Sequence, residues 1–270
     1  MKRFLSIILV AVIIFALAAC NTMQTAEKFC SSCGKGIPKS ATFCEHCGAA
    51  VGDTKKENEG NLDGTENTES TGAKVGEYIK FGFYEQDNDT SNGTEEIEWL
   101  VIEVKDDKAL VISKYALDYK QYNTSEKAVT WETCSLRKWL NNDFINAAFS
   151  TYEKAMIPTV TVSADKNPSF DTKPGRATQD KIFLLSITEV EKYLSSIGAG
   201  ECWPTDYTTA KGEEISISSG QCLWWLRTPG NEQSKAAYVG YLGAAFEFGG
   251  GVDYLAPVRP AMWIDLGAIE

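Results

Sequence analysis

The chain has 270 residues, of which 43% are hydrophobic and 23% charged, an ordinary globular balance that excludes collagen, a long coiled coil and wholesale disorder. That length allows one sizeable core and a small module. The net charge of −11 arises entirely beyond Lys74, because residues 1–74 hold eight basic and eight acidic side chains; an acidic surface repels phosphate backbones, so no nucleic acid is expected as a partner.

Residues 1–20, MKRFLSIILVAVIIFALAAC, place two basic residues before an apolar run from Phe4 to Leu17 and end in small residues and Cys20. That is the pattern of a secretory signal. The apolar run is shorter than the roughly 20 residues a spanning helix prefers, which favours cleavage over permanent insertion. The segment Leu17-Ala18-Ala19-Cys20 resembles the lipobox of bacterial lipoproteins. The resemblance implies a signal peptide over 1–19, a diacylglycerol on the Cys20 thiol and a lipidated N-terminus over 20–27. Several acyl chains on one residue suffice for stable anchoring, so the expected location is the extracytoplasmic face of the bacterial cell membrane. An uncleaved helix or a plain signal peptide would also export everything after Cys20, because Lys2 and Arg3 hold the N-terminus inside.

Residues 28–51 contain Cys30-x2-Cys33 and Cys44-x2-Cys47, each knuckle of the form Phe-Cys-x-x-Cys-Gly. Two thiolates on one tight turn grip an ion only if the chain reverses sharply, and Gly34 and Gly48 permit that reversal. The repeat resembles the short zinc-ribbon domains of many bacterial proteins, which implies Cys30, Cys33, Cys44 and Cys47 as metal ligands. Four thiolates leave no open position, so the zinc would be structural. In an oxidising compartment the same cysteines could form disulfides instead. His46, the single histidine of the chain, lies between Cys44 and Cys47 and reads as a solvated knuckle residue.

From residue 52 to 74 the sequence is dense in Gly, Asn, Glu and Thr with one leucine. It cannot offset the entropy of its own ordering and reads as a flexible linker. The remaining stretch, 75–270, reads as one α+β domain. Tyr78–Tyr84 alternates Ile79, Phe81 and Phe83 with Lys80 and Gly82, a strand. IEWLVIEV (97–104) and KALVISKY (108–115) flank Asp106-Asp107 as a hairpin. Leu136, Trp139, Leu140, Phe144, Ala147 and Ala148 recur at three and four, predicting an amphipathic helix broken near Asn141-Asn142. A helical turn from Tyr152 to Ile157 stops at Pro158. KIFLLS (181–186) reads as a buried strand, and Thr188 with Glu191 as a capping box opening a helix through Leu194 that ends near Gly198. The last fifty residues, QCLWWLRTPG, AAYVGYLGAAFEFGGG and VRPAMWIDL, are short aromatic strands between glycines and predict a small twisted antiparallel sheet.

The strings TWETCSLRKWLNNDFINAAF, DKIFLLSITEVEKYL, WWLRTPG and VRPAMWI look like a bacterial domain of unknown function often joined to zinc ribbons or lipoprotein signals. The closing Trp-Trp strand, Tyr-rich strand, glycine turn and V-R-P-A strand also resemble the C-type-lectin-like fold shared by formylglycine-generating enzymes and bacterial surface-binding domains. The resemblance implies an antiparallel sheet with two or three helices; it carries fold and not function.

With no histidine beyond residue 46, triads that use a histidine base are excluded from the large domain. Cys134, Cys202 and Cys222 remain there. Cys202 and Cys222 could meet through the fold as a disulfide, as two buried thiols, or as the copper-binding pair of a formylglycine-type oxidase. DNDTSNGTEEIE (87–98) imitates an EF-hand loop, with Asp87, Asp89, Ser91 and Glu98 at ligand spacings and Asn92 where glycine belongs. Strands flank it, so it reads first as a solvated hairpin loop. Trp224, Trp225, Arg227, Tyr238, Tyr241, Phe246, Phe248 and Arg259 crowd into this sheet, and of these Trp224, Trp225, Arg227, Tyr238 and Tyr241 are the candidate ligand-binding residues, alternate side chains of a strand lining a shallow face for a sugar or peptide. The other reading makes them core, with Arg227 and Arg259 paired to carboxylates such as Asp253 or Asp265. The expected function is thus a membrane-anchored, non-catalytic binding module for an unknown carbohydrate, peptide or envelope protein, with structural zinc. The alternatives are a cysteine-dependent oxidoreductase and a structural envelope protein.

Overall fold

The computed structural model describes residues 28–29, 36–37, 73–212 and 220–268. The chain divides into two compact units, Met1–Asn67 and Thr68–Glu270, with the boundary inside the segment 52–74. In the first unit, strands β1 (Lys28–Phe29) and β2 (Gly36–Ile37) pair antiparallel, Phe29 opposite Gly36. Cys30 and Cys33 lie between these two strands in the sequence. Cys20, Cys30, Cys33, Cys44 and Cys47 themselves lie outside the described residues, as do residues 1–27.

The large unit is a mixed α/β structure of antiparallel sheets and few helices. Strand β3 (Tyr78–Tyr84) pairs with β4 (Glu95–Lys105), which turns into β5 (Lys108–Ser113) through Asp106 and Asp107 at φ 49° and 55°. Short acidic side chains tolerate that left-handed region, and a turn with both central residues there matches the strand twist. The last strand of the chain, β14 (Ala261–Asp265), lies beside β5, and β9 (Ile182–Phe183) closes the order β3-β4-β5-β14-β9. Leu100, Val101 and Ile102 are buried in succession, so this sheet is covered on both faces at its centre. Trp99 is fully buried and donates from Nε1 to the Phe81 carbonyl at 2.7 Å.

Helix α1 (Ser135–Trp139) continues through a π-helical turn (Leu140–Phe144) into α2 (Ile145–Ala148). The expected break at Asn141-Asn142 is therefore a widening, of the kind an inserted residue makes. Asn141 gives the reason. Its Nδ2 donates to the carbonyls of Arg137 (3.1 Å) and Ile182 (2.8 Å), and its Oδ1 accepts from the N–H of Lys181 (2.9 Å) and Ile182 (3.2 Å). A polar side chain thus ties the helix to β9. Helix α3 (Thr151–Met156) opens with a Ser150–Glu153 capping box and ends before Pro158. Strands β7 (Val160–Val162) and β8 (Thr178–Asp180) form a separate ribbon.

The run 181–186, expected as one strand, is strand only in β9. Leu184 and Leu185 stay buried, but their carbonyls are taken by Arg227, by its Nη1 at 2.9 Å and its backbone N–H at 3.0 Å. Helix α4 (Ile187–Glu189) begins two residues earlier than expected: the capping box is Ser186 with Glu189, not Thr188 with Glu191. The helix continues as a π turn (Val190–Leu194) and a 3-10 turn (Ser195–Ile197), and Gly198 ends it at φ 64°. Helix α5 (Asp206–Lys211), capped by Thr205, has no counterpart in the expected elements.

Beyond residue 220, strands β10 (Trp224–Pro229), β11 (Lys235–Val239) and β12 (Ala245–Gly251) form the expected aromatic antiparallel sheet. The last segment does not join it. Strand β13 (Leu255–Val258) pairs with β6 (Asp118–Gln121), and after Arg259-Pro260 the chain enters the five-stranded sheet as β14. Among the described residues no helix is long and apolar enough to cross a membrane.

Candidate functional site

Strand β10 is buried on both sides along its whole length, which overturns the alternating pattern expected of it. Trp224 donates from Nε1 to the Gly200 carbonyl at 3.1 Å and Trp225 to the Lys120 carbonyl at 3.0 Å. The Trp225 ring meets the edges of Tyr122 and Tyr238 at 5.8 and 6.5 Å. Both indoles are core, because the β6/β13 ribbon and the Gly200 region leave neither face of the strand to solvent. Trp224, Trp225 and Arg227 therefore drop out of the ligand surface.

Arg227 is 3% exposed and surrounded by acceptors. Its Nη2 reaches Asp165 Oδ2 and Glu189 Oε1, each at 3.0 Å, its Nη1 also meets Glu189 Oε2, and its Nε donates to the Ser163 carbonyl at 3.1 Å. A planar fork with five donors suits such a bidentate site. Its carboxylate partners are thus Glu189 and Asp165, not Asp253 or Asp265. Arg259, also buried, serves carbonyls instead: Ser113 and Ala199 at 2.9 Å each, with its guanidinium 5.1 Å from the Trp224 ring. A second buried polar group joins Tyr84, Asp118 and Lys211. The Tyr84 hydroxyl donates to Asp118 at 2.7 Å and Lys211 pairs with the same carboxylate at 2.8 Å. Burial, then the Asp118 charge, pushes the Tyr84 hydroxyl well above its ordinary range. These clusters tie distant parts of the large unit together.

Among the described residues three thiols are free and buried. Cys134 caps α1, its sulfur accepting from the Arg137 N–H at 3.5 Å, and burial pushes its pKa up to about 12. Cys202 and Cys222 are brought together: the Cys222 N–H donates to the Cys202 carbonyl at 2.8 Å, and the thiols touch. Burial opposes ionisation of Cys202, but contact with Cys222 and the Arg259 charge outweigh it and hold this thiol below its ordinary value. Cys222 is pushed up by the same contact and by its burial.

Exposed aromatic surface lies at the far edge of the same sheet as β10. Along β12, Phe246 and Phe248 are 49% and 55% exposed, with Glu247 between them. Tyr238, opposite Phe246 on β11, stacks on it at 5.0 Å and 28°. Phe170, from the segment between β7 and β8, meets Phe248 edge-on at 4.9 Å. Of the expected ligand residues, Tyr238 belongs to this face, and Tyr241 is half-buried in the turn that follows β11. Phe246 and Phe248 alternate with Glu247 in AFEFGGG, a period of two that is legible in the sequence.

The EF-hand-like set also separates. Asp87, Asp89 and Ser91 lie on the β3–β4 loop, where Asp89 Oδ1 accepts from the Ser91 N–H and hydroxyl at 3.0 and 2.6 Å. Glu98 sits within β4 and pairs with Lys114 at 2.7 Å.

Two family models match the chain. A zinc-ribbon domain covers residues 29–51, and a domain of unknown function, DUF6273, covers 106–266. The ribbon match points to zinc binding by the small unit. No curated protein and no solved structure matches the chain.

Proposed function

The chain belongs to the DUF6273 family, and on that premise we propose that it is an extracytoplasmic recognition module, lipid-anchored at Cys20, whose aromatic sheet face binds a component of the cell envelope. The observation that carries this reading is the row Tyr238, Phe246, Phe248 and Phe170, with two phenylalanines about half exposed. Contiguous exposed aromatics on a folded surface mark a binding surface, and aromatic planes stack on sugar rings and apolar side chains alike. The lipobox-like leader and the linker before residue 75 support placing that face outside the cell and clear of the bilayer. The C-type-lectin-like fold belongs to the same proposal, supported by a sheet that contains both the first and last strands of the large unit and by a separate loop-rich aromatic sheet. Co-sedimentation of the full chain in detergent with purified cell-wall material tests it. Retention is expected, and Phe246→Ala with Phe248→Ala should weaken it roughly tenfold or more, the loss of one to two stacking contacts. Absence of retention, or equal retention of the double variant, overturns it.

A second reading, a cysteine-dependent oxidoreductase, is favoured by the contact of Cys202 with Cys222 beside Arg259. Against it stands their full burial, which bars a substrate from either sulfur. Alkylation of the native chain at neutral pH decides: modification of Cys202 supports an accessible redox pair, and its protection supports a packed one.

A further inference from the structure

The β3–β4 loop gathers three carboxylates that neither the aromatic face nor the buried clusters use. One oxygen each from Glu85, Asp87 and Glu95 lies within 4.8 Å of the others. Among the described residues, no lysine or arginine forms an ion pair with any of the three; the nearby cations Lys80 and Lys114 pair with Glu96 and Glu98. Acidic groups on a loop are common without a ligand, but Glu85 differs from its neighbours. It is 8% exposed, and its Oε1 is shut off from solvent without a hydrogen-bond donor. A buried carboxylate oxygen with no donor, on a side chain grouped with two further carboxylates, is a costly arrangement that a bound cation would relieve. Burial, and then the charges of Glu95 and Asp87, raise the Glu85 pKa accordingly.

We propose that Glu85, Asp87 and Glu95 form a calcium site at the β3–β4 loop. The donors are all hard carboxylate oxygens, which select calcium or magnesium over the softer metals. The number of protein carboxylates selects between those two: calcium accepts a full set of protein oxygens in flexible geometry, whereas magnesium demands a near-ideal octahedron, keeps several waters and is held by one or two carboxylates. The remaining loop contacts fix the donors. Glu95 Oε2 accepts from the N–H groups of Gln86 (2.6 Å) and Asp87 (3.2 Å), and Asp87 takes the Asp89 N–H at 2.8 Å and the Asn92 amide at 2.7 Å. The site is thus not the EF-hand register suggested by 87–98: Glu98 is replaced by Glu95 and Glu85, one from each end of the loop.

Calorimetric titration of the full chain in detergent with CaCl2, after passage over a chelating resin, tests the site. One added calcium per chain is expected with a Kd on the order of 10⁻⁴–10⁻³ M, the range of extracellular calcium modules, and a calcium-dependent rise in melting temperature. Glu95→Gln and Glu85→Gln should each weaken binding at least about tenfold. Without calcium, Glu85→Gln should melt no lower than the parent, because it removes a buried like charge, and this shows that the variant folds. No calcium heat at millimolar concentration, equal affinity of both variants and the parent, or magnesium binding as tight as calcium would each overturn the proposal. The aromatic-face reading plays no part in it, so either can fail alone.

Discussion

Replacing Arg227 by Met measures how much of the large unit hangs on one buried cation. Methionine keeps most of the buried stem and removes the guanidinium alone. What remains is the Leu184 and Ser163 carbonyls without these donors and two carboxylates, Glu189 and Asp165, whose side chains are 24% and 26% exposed. Removing one partner of a buried pair costs about 3–5 kcal/mol. Water reaches both carboxylates here, so the lower end applies, about 3 kcal/mol. In a unit of this size each kcal/mol moves the midpoint by roughly 2–4 °C, so the melting temperature should fall by roughly 6–12 °C. Urea unfolding followed by tryptophan fluorescence gives the free energy, and near-UV circular dichroism gives the melt. Arg227→Lys keeps the charge but places one ammonium where three nitrogens now reach oxygens of four residues, Ser163, Leu184, Glu189 and Asp165, and should lose about 2 kcal/mol. A methionine variant within about 1 kcal/mol of the parent, or a lysine variant equal to it, would refute the role of the fork. Retention on cell-wall material by the folded fraction should be unchanged, which separates a core arginine from a ligand contact.

Gly82 sits at φ 74° in a bulge of β3, and a Cβ there would lie 2.5 Å from the Phe149 ring and 2.7 Å from the Ala148 carbonyl. Gly82→Ala should therefore cost about 2 kcal/mol or more, read by urea unfolding; a neutral result would contradict the close approach of β3 to α2. The Cys134 thiol, raised to about 12 in the fold, stays protonated where an unfolded thiol ionises. Between the unfolded value and about 12 the folded state binds more protons, so stability is fully present below the unfolded pKa and falls as pH rises above it. Cys134→Ala should flatten that alkaline fall in a pH series of unfolding midpoints. Native mass spectrometry of the exported chain should show one zinc held by the small unit and lost on denaturation, whereas a mass four hydrogens light without zinc would mean disulfides among Cys30, Cys33, Cys44 and Cys47.

What could be read from the sequence was what is decided over a few residues. The alternation of Tyr78–Tyr84, the Asp106-Asp107 turn and the helix after Cys134 each carry their own signal, and each stands where it was expected. Cysteine spacing announced the ribbon. Strand β6, the β7/β8 ribbon and the departure of β14 into the large sheet are set by partners far along the chain, and no local period encodes them. Two errors are in fact one. Placing the capping box at Thr188 and Glu191 leaves Glu189 as an unassigned first-turn carboxylate and Arg227 without a buried partner, so that an arginine on an aromatic strand reads as a ligand contact. With the cap at Ser186, Glu189 occupies the third helical position, where one carboxylate accepts the Ser186 N–H at 2.9 Å and also receives Arg227. The N-terminus of α4 and the centre of β10 are thereby joined through a single side chain, and the arginine is drawn inward. The ligand surface then falls to the next exposed aromatics in the sheet, Phe246 and Phe248, whose alternation about Glu247 is a local signal and was legible throughout.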